Sequence, residues 1–182
     1  MAKLIYSSIA SLDGFVADDS GNFDWAMPDA EVHSAVNELM AGIGTQLMGR
    51  RLYEIMRAWD TIDDDEPEMV EFASLWRGSD KVVYSGSLEA IDAPRTRLER
   101  QFQPEQVQQL KHASARDLSV GGPNLAGQAL RAGLVDEIHL YTSPVIVGGG
   151  TPLWPTDLRI DLELLTERRF ANGIVHTAYR PR

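Results

Sequence analysis

The chain of 182 residues contains no cysteine, which excludes disulfide bridges, thiolate metal ligands and cysteine nucleophiles. No apolar run approaches the roughly 18 residues of a membrane span. The first residues lack the continuous apolar core of a secretory signal, so we expect a cytoplasmic protein with no membrane partner. Basic residues are also scarce, since 17 Lys and Arg stand against 27 Asp and Glu. We therefore expect no nucleic-acid partner, because phosphate backbones require a basic face.

The composition indicates one globular domain over residues 1–182, because 43% of the residues are hydrophobic and the chain is long enough for a sizeable core. Helical and strand-like periods alternate along it. Val32, Ala35 and Val36 begin an apolar face with helical spacing, and Asp29 before them can cap the helix. Near the end, Asn172-Gly173 lies between two strand-like runs and indicates a hairpin.

These patterns predict an α/β fold of three layers. Its sheet would be mixed, mostly parallel and of about eight strands, with helices on both faces and a C-terminal β-hairpin. We expect strands at residues 4–10, 45–48, 81–84, 96–101, 118–120, 137–147, 162–168 and 174–179. We expect helices at about residues 30–41, 52–56, 67–76, 104–113 and 123–132.

Ligands of open α/β sheets bind beyond the carboxyl ends of the strands, and three stretches fall there. Residues 7–14 (SSIASLDG) end a strand in small side chains that leave room for a flat ring. Residues 47–54 (LMGRRLYE) place two arginines where a helix begins, a position that attracts phosphate. Gly121-Gly122 precedes a helix from Pro123 but lacks the GxGxxG pattern. Taken alone, the first stretch could be a closely packed central strand, the second a pair of solvated charges and the third a simple turn. Taken together, they suit the binding of a dinucleotide, which carries phosphates at two places and a flat ring.

Five motifs resemble the dihydrofolate reductase-like family, in family order and over nearly the whole chain. They are SLDGFVAD, LMGRRLYE, VVYSGSL, VGGPNLAG and LVDEIHLYTSPVIVGGGTPLW, with the dipeptide DW between the first and the second. More closely, they resemble the branch that shares the C-terminal reductase domain of the bifunctional riboflavin-biosynthesis deaminase/reductase. The resemblance implies an eight-stranded sheet that binds NADPH.

The same resemblance implies which residues contact NADPH. The adenosine phosphate end would lie on Gly49, Arg50 and Arg51, with Ser85 on the adenosine side. The nicotinamide would lie against Ile9 and Ala10, and a tryptophan in the loop over the cofactor matches Trp25. The pyrophosphate would be cradled by the glycine turn and the helix after it, through Gly121, Gly122, Asn124, Leu125 and Ala126.

The substrate end of the site departs from the riboflavin enzyme, which carries a substrate-binding glutamate where this chain has Val120. We therefore expect negligible activity on its ribosylaminopyrimidine intermediate. Dihydrofolate reductases also have an apolar residue there, together with an acid in the first helix. Asp29, Glu31 and His33 are the candidates, and we predict Asp29 as the catalytic residue, with its role as a helix cap left open.

The prediction is an NADPH-dependent reductase that transfers hydride to a small heterocyclic substrate, pterin- or pyrimidine-like. The alternatives are dihydrofolate or pteridine reduction and a nucleotide-binding protein without catalysis. The four histidines are scattered without ligand spacing, so we expect no metal site. We also expect a homodimer, because the family often dimerises and residues 140–147 with Trp154 form apolar stretches.

Overall fold

The computed structural model describes residues 1–182 and contains an eight-stranded mixed sheet. The strand order is β5-β4-β3-β6-β1-β7-β10-β9. The first six strands in this order are parallel to one another. The seventh, β10, is antiparallel to β7, and the eighth, β9, is antiparallel to β10. A two-stranded sheet pairs β2 with β8. The ten strands are β1 Leu4–Ser11, β2 Phe15–Ala17, β3 Ile43–Gly49, β4 Asp80–Tyr84, β5 Thr96–Glu99, β6 Asp117–Gly121, β7 Glu137–Ser143, β8 Thr151–Pro152, β9 Leu162–Arg169 and β10 Val175–Pro181.

Five α-helices cover the two faces of the sheet: α1 Ala30–Met40, α2 Arg50–Met56, α3 Pro67–Gly78, α4 Pro104–Ala113 and α5 Pro123–Arg131. Short 3₁₀ turns occupy Asp24–Ala26 and Arg57–Asp60. The predicted α/β architecture, with helices on both faces and a C-terminal hairpin, is therefore confirmed. No helix combines the length and the apolar character needed to cross a membrane.

Sequence explains where the helices begin. The Asp29 carboxylate accepts a hydrogen bond from the Val32 N–H at 3.0 Å, which satisfies one of the free donors of the first turn of α1. The other long helices, α3, α4 and α5, each begin at a proline, whose missing N–H costs nothing at that position.

Each face of the sheet has its own apolar core, packed beneath the helices of that face. One face packs the side chains of α4 and α5 on Leu47, Leu118 and Val120 of the sheet. The other packs α2 and α3 on β3 and β4, with Trp76 fully buried. The Trp76 indole N–H donates to Asp60 at 2.7 Å, so a large apolar side chain is buried without losing its hydrogen bond.

The expected length of the strand after Glu137 was wrong, and a short strand after it was missed. The strand predicted over residues 137–147 ends at Ser143, because Pro144 has no N–H to donate to a neighbouring strand. Beyond it, the chain turns back and forms β8, which pairs with β2. Neither short strand has an apolar alternation long enough to be recognised in the sequence.

The turn at Gly148-Gly149-Gly150 joins these short strands to the loop after β1. The Asp13 carboxylate accepts hydrogen bonds from the N–H groups of Val147, at 3.2 Å, and Gly148, at 2.8 Å. A Cβ at Gly150 would lie 2.1 Å from the Ala17 carbonyl oxygen, so only glycine fits. The three glycines are therefore a packed turn that fixes the segment beside the end of β1, as expected for a turn with no helix after it.

Candidate active site

A notch opens at the carboxyl edge of the sheet between β6 and β1. The two strands pair only as far as Tyr6 and Val120, after which β6 turns away into α5. β1 continues through residues 7–11, paired there only with β7. One edge of this part of β1 thus has no neighbouring strand. A planar ligand can lie against that edge, and this is the point where ligands enter open α/β sheets.

The two glycines at the end of β6 have different roles. A Cβ at Gly121 would lie 2.4 Å from Leu52 Cδ2, so this glycine allows the first turn of α2 to pack closely on β6. Gly122 has φ 83°, in the left-handed region that favours glycine, and a Cβ there would meet only Leu52 Cβ at 3.9 Å. Gly121 is therefore a packing residue, whereas Gly122 makes the turn and faces open space.

The turn leads directly into the first turn of α5, where the predicted pyrophosphate residues lie. The Ala126 N–H is already used, because it donates to the Gly122 carbonyl at 2.9 Å. Asn124 and Leu125 lie before the first intrahelical hydrogen bond, where backbone N–H groups point out of the helix. Pro123 has no N–H. Of the predicted trio, Asn124 and Leu125 thus offer free donors, while Ala126 does not.

Polar side chains join the ends of β3 and β4 beside this turn. Arg50, the first residue of α2, donates to Glu54 at 2.6 Å and to the Ser87 hydroxyl at 3.0 Å. The Ser85 hydroxyl accepts from the N–H groups of Ser87 and Leu88. The structure therefore brings Arg50 and Ser85, far apart in sequence, into one hydrogen-bonded cluster at the carboxyl edge.

Arg51 differs from Arg50, since it is exposed and forms no ion pair or side-chain hydrogen bond. Gly49 beside it has no atom within 4 Å of the position of a Cβ. An exposed guanidinium next to open space is suited to bind a phosphate, because its donors are not already engaged. Of the two arginines, Arg51 is the more available.

Sequence reasoning missed Arg100 and Ser87. The Arg100 guanidinium donates to the carbonyl oxygens of Ser85, Leu88 and Glu89 and so holds the loop after β4 in place. Ser87 links that loop to Arg50. Neither has a local pattern that predicts this role, because the contacts join β5 and α2 to a loop that is distant in sequence.

Ile9 and Ala10 lie on opposite faces of β1. Ile9 packs against the cluster of Val32, Tyr141 and Phe170 beneath α1, whereas Ala10 is buried on the face of α5. Ala10 is buried and Ile9 is partly buried, and both side chains point to the faces of the sheet, so the edge that β1 presents to the notch is backbone. The small size expected of these residues therefore matters less than the absence of a neighbouring strand.

Trp25 lies in the 3₁₀ turn before α1, which packs against β1. Its indole nitrogen is buried and has no hydrogen-bond partner within the chain. A buried indole N–H without an acceptor is costly, and most such groups in proteins are paired. A buried donor without a partner beside β1 is a group that a bound ligand could satisfy.

The three candidate proton donors of α1 each have a structural role. Asp29 is exposed at the N-terminus and caps the helix with one carboxylate oxygen. Glu31 pairs with Arg168 at 3.1 Å and accepts from the Ala171 N–H. His33 is buried between Trp59 and Phe72, and burial lowers its pKa below the usual value.

Val120 faces the core on the side of α5 and is 1% exposed. It pairs in register with Tyr6 and Leu47, both of which belong to the same cluster. An acid at this position would be surrounded by apolar side chains. The backbone of Val120 therefore lies beside the notch, but its side chain points into the core and does not reach the notch.

Two histidines meet outside the notch, contrary to the expectation that all four are scattered. His139 of β7 and His176 of β10 stack, with Nδ1 of His139 and Nε2 of His176 3.1 Å apart. Their strands are 37 residues apart in sequence but adjacent in the sheet. Burial, with His139 close by, lowers the pKa of His176 to about 4.

The mixed eight-stranded sheet, with helices on both faces and a C-terminal hairpin, is an α/β fold of the dihydrofolate reductase-like type. The model of the RibD C-terminal domain family matches residues 2–176, and the chain belongs to this family. Among curated relatives, the chain is 28% identical to the uncharacterized protein YyaP of Bacillus subtilis over 179 residues, 97% of this chain and 94% of YyaP.

Two solved structures are similar in fold. A putative riboflavin biosynthesis protein from Shewanella sp. PV-4 has a TM-score of 0.79 at 21% identity and aligns over 100% of this chain and 99% of its own. The deaminase/5-amino-6-(5-phosphoribosylamino)uracil reductase of Thermotoga maritima has a TM-score of 0.70 at 15% identity. This chain is covered completely in that alignment but spans only 57% of the Thermotoga protein. Family membership supports an oxidoreductase related to the RibD reductase domain.

Proposed function

We propose that the protein is an NADPH-dependent reductase that transfers hydride to a small heterocyclic substrate, pterin- or pyrimidine-like. The observation that carries the proposal is the notch where β1 runs past the end of β6, with the Gly122 turn and the start of α5 at its side. Free backbone donors, open space above Gly122 and the exposed Arg51 offer two separate places for phosphate groups. NADPH carries phosphates at two places.

When bound, NADPH supplies the hydride, and the chain supplies position and electrostatics. The N–H groups of Asn124 and Leu125 would hold the pyrophosphate at the start of α5. Arg51, with Arg50 beside it, would hold the 2′-phosphate through charge-assisted hydrogen bonds. The unpaired edge of β1 would position the nicotinamide, and the Trp25 N–H would donate to the bound ligands.

Reduction also requires a proton. Asp29 at the start of α1 is the residue we assign to this step, with a water molecule as the other source. The cap hydrogen bond occupies one carboxylate oxygen of Asp29 and leaves the other free to hold a proton. The Asp29→Asn variant keeps a cap, because asparagine is an equally good cap residue, so it separates the two roles.

Titration calorimetry with NADPH tests cofactor binding, and substitution at Gly122 tests where NADPH binds. Gly122→Val places a branched side chain in the open space beside the turn and should abolish binding. Gly133→Val is the matched control, because Gly133 has φ 64° and no atom within 4 Å of a Cβ, but lies after the opposite end of α5. Both variants carry backbone strain, and only Gly122→Val should lose NADPH.

Equal NADPH affinity in folded Gly122→Val and in Gly133→Val would show that the glycine pair is only a turn. The reaction is tested by NADPH oxidation with pterin, pyrimidine and quinone-like compounds. Tight NADPH binding with no oxidation across this panel would favour the non-catalytic alternative.

A further inference from the structure

The two sides of the notch differ in charge. On one side, the chain after β3 presents the exposed Arg51 at the start of α2. The other side is formed by two segments, residues 11–31 from the end of β1 and residues 140–155 from β7 onward. The Leu12 N–H donates to the Val145 carbonyl at 2.8 Å, and β2 of the first segment pairs with β8 of the second. The two segments therefore form one wall, which we name the distal wall.

The distal wall carries no basic side chain. Residues 140–155 contain no charged residue, and residues 11–31 contain no Lys, Arg or His. The charges of the distal wall are all acidic: Asp13, Asp18, Asp19, Asp24, Asp29 and Glu31. Asp24 is exposed in the 3₁₀ turn, and its carboxylate forms no hydrogen bond or ion pair within the chain. An anion that enters from this side meets like charge and finds no cation in the wall to neutralise it.

The nearest bases on neighbouring elements do not replace the missing cation. Arg168 of β9 is paired with Glu31 at 3.1 Å. Arg57 begins the 3₁₀ turn that ends at Asp60, so a base and an acid share one turn there. Arg169 has no ion-pair partner, but it lies on β9, two strands beyond β7. The free basic side chains beside the notch are therefore on the side of α2, where the cofactor phosphates are proposed to bind.

Three large apolar side chains of the distal wall are exposed. Leu12 is 63%, Met27 is 65% and Ile146 is 71% exposed. Leu12 and Ile146 flank the hydrogen bond between Leu12 and Val145, and Met27 follows the 3₁₀ turn that packs on β1. Exposed apolar groups around a cleft commonly mark a ligand-binding surface. These three side chains suit an apolar substituent rather than a charged one.

Two buried polar groups of the distal wall have no partner, the Trp25 indole N–H and the Ser143 hydroxyl. Ser143 is 2% exposed and ends β7 on the same side of the strand as Tyr141, which packs beneath α1. Buried polar groups are rarely left without a hydrogen bond. Both groups are neutral, so they suit the neutral polar edge of a heterocycle.

We propose that the substrate is an uncharged or cationic heterocycle that carries an apolar substituent and has no phosphate or carboxylate group. Trp25 and Ser143 would bind its polar edge, and Leu12, Met27 and Ile146 would contact the substituent. The acids of the distal wall would reject anionic analogues. This inference rests on the proposed function, because it takes the ligand of the distal wall to be the hydride acceptor.

A matched series of pterins tests the proposal by titration calorimetry in the presence of NADP⁺, where binding is measured without turnover. The series carries a methyl, a propyl or a carboxylate group at C6. The methyl compound should bind at least about 10-fold more tightly than the carboxylate, because only the carboxylate meets like charge. The propyl compound should bind more tightly than the methyl compound, because it buries more apolar surface. Equal affinity for methyl and carboxylate, or no measurable binding of any member, would overturn the proposal.

Charge reversal at Asp24 locates the discrimination. Asp24→Lys should reduce the preference for methyl over carboxylate to less than about 3-fold, because it supplies the missing cation. Glu167→Lys is the matched control, since it changes the net charge equally but lies on β9, three strands from β1. The control should keep the wild-type preference. The same change in both variants would assign the preference to the net charge of -10 and overturn the role of the distal wall.

The apolar contact is tested with Ile146→Ser, which should weaken binding of the propyl compound about 5-fold and of the methyl compound less. Val70→Ser is the control, because Val70 is also branched at Cβ and 50% exposed but lies on α3. An unchanged affinity of Ile146→Ser for the propyl compound would contradict the proposed contact. NADPH affinity, measured separately on each variant, should stay at the wild-type value. A wild type that does not bind NADPH would refute the proposed reductase, whereas the pterin series in the free protein would still test the distal wall.

Discussion

The parallel half of the sheet and the terminal hairpin leave different groups uncovered. At the carboxyl edge of the parallel half, the side chains of Ala10 and Val120 are buried and that of Ile9 is partly buried. The exposed groups at the notch are backbone donors, one edge of β1 and the Arg51 side chain. On the hairpin, β10 is paired along both edges and β9 along one, and the exposed groups are side chains. A backbone surface suits a ligand with phosphates and a flat ring, whereas the hairpin presents exposed apolar side chains beside Glu167 and Arg169, which have no ion-pair partner in the chain.

The largest effect we expect concerns the substrate. The ribosylaminopyrimidine intermediate of riboflavin synthesis should be reduced at a negligible rate. Where the resemblance to the riboflavin enzyme places a substrate-binding glutamate, this chain has Val120, which is buried in the core and offers the substrate no polar group. Single-turnover NADPH oxidation with that intermediate measures this, with an authentic riboflavin reductase as the positive control. A comparable rate in both proteins would show that Val120 is a tolerated substitution.

Restoring the acid at position 120 should not restore that activity. Val120→Glu would bury a carboxylate among apolar side chains, and we expect the free energy of unfolding in urea to fall by about 3–5 kcal/mol. Thr166→Glu is the control from the other region, since Thr166 is exposed on β9 and should change stability by less than about 0.5 kcal/mol. Equal stabilities for the two variants would mean that Val120 opens to solvent in solution.

Next in size is the preference for NADPH over NADH. Charge-assisted hydrogen bonds from Arg51 to the 2′-phosphate should contribute roughly 1.5–3 kcal/mol, about 10- to 100-fold in the dissociation constant. Arg51→Ala should remove most of this preference, and Arg50→Ala less, because Arg50 is already bonded to Glu54 and Ser87. Calorimetry with both cofactors measures it, and equal affinity of the wild type for NADPH and NADH would refute the assignment.

The smallest effect belongs to the hairpin side and depends on pH. The pKa of His176 is lowered by burial to about 4, below the ordinary value of 6.5. Between these values the unfolded chain binds more protons than the folded one, so stability should fall as the pH decreases from 6.5 toward 4. Allowing for solvent screening, we expect a loss of roughly 1–2 kcal/mol.

His176→Phe should reduce this loss because phenylalanine keeps a ring to stack on Tyr141 and does not titrate. His112→Phe, on the exposed face of α4, makes the same substitution away from the hairpin and is the control. Urea denaturation at several pH values measures both variants. NADPH affinity should stay the same in each, since the histidine pair lies away from the notch.

Much of the fold was set by local pattern. Alternating strand and helix periods, prolines at helix starts and Asn172-Gly173 at the hairpin predicted the layers and most element positions, because these signals depend on neighbours within a few residues. The strand after Glu137 was predicted too long and β2 and β8 were missed, because only their contact with each other makes them strands.

The candidate site divides in the same way. The sequence by itself determined which residues stand at the ends of β3 and β6, because each of these strands ends in a glycine directly before a helix, and that signal is local. Only the tertiary structure decided that Arg50 meets Ser87, that His139 meets His176 and that Val120 faces the core. These contacts depend on the order of the strands in the sheet and on the face of the sheet to which each side chain points. Pairing between strands that are distant in sequence determines both the order and the face.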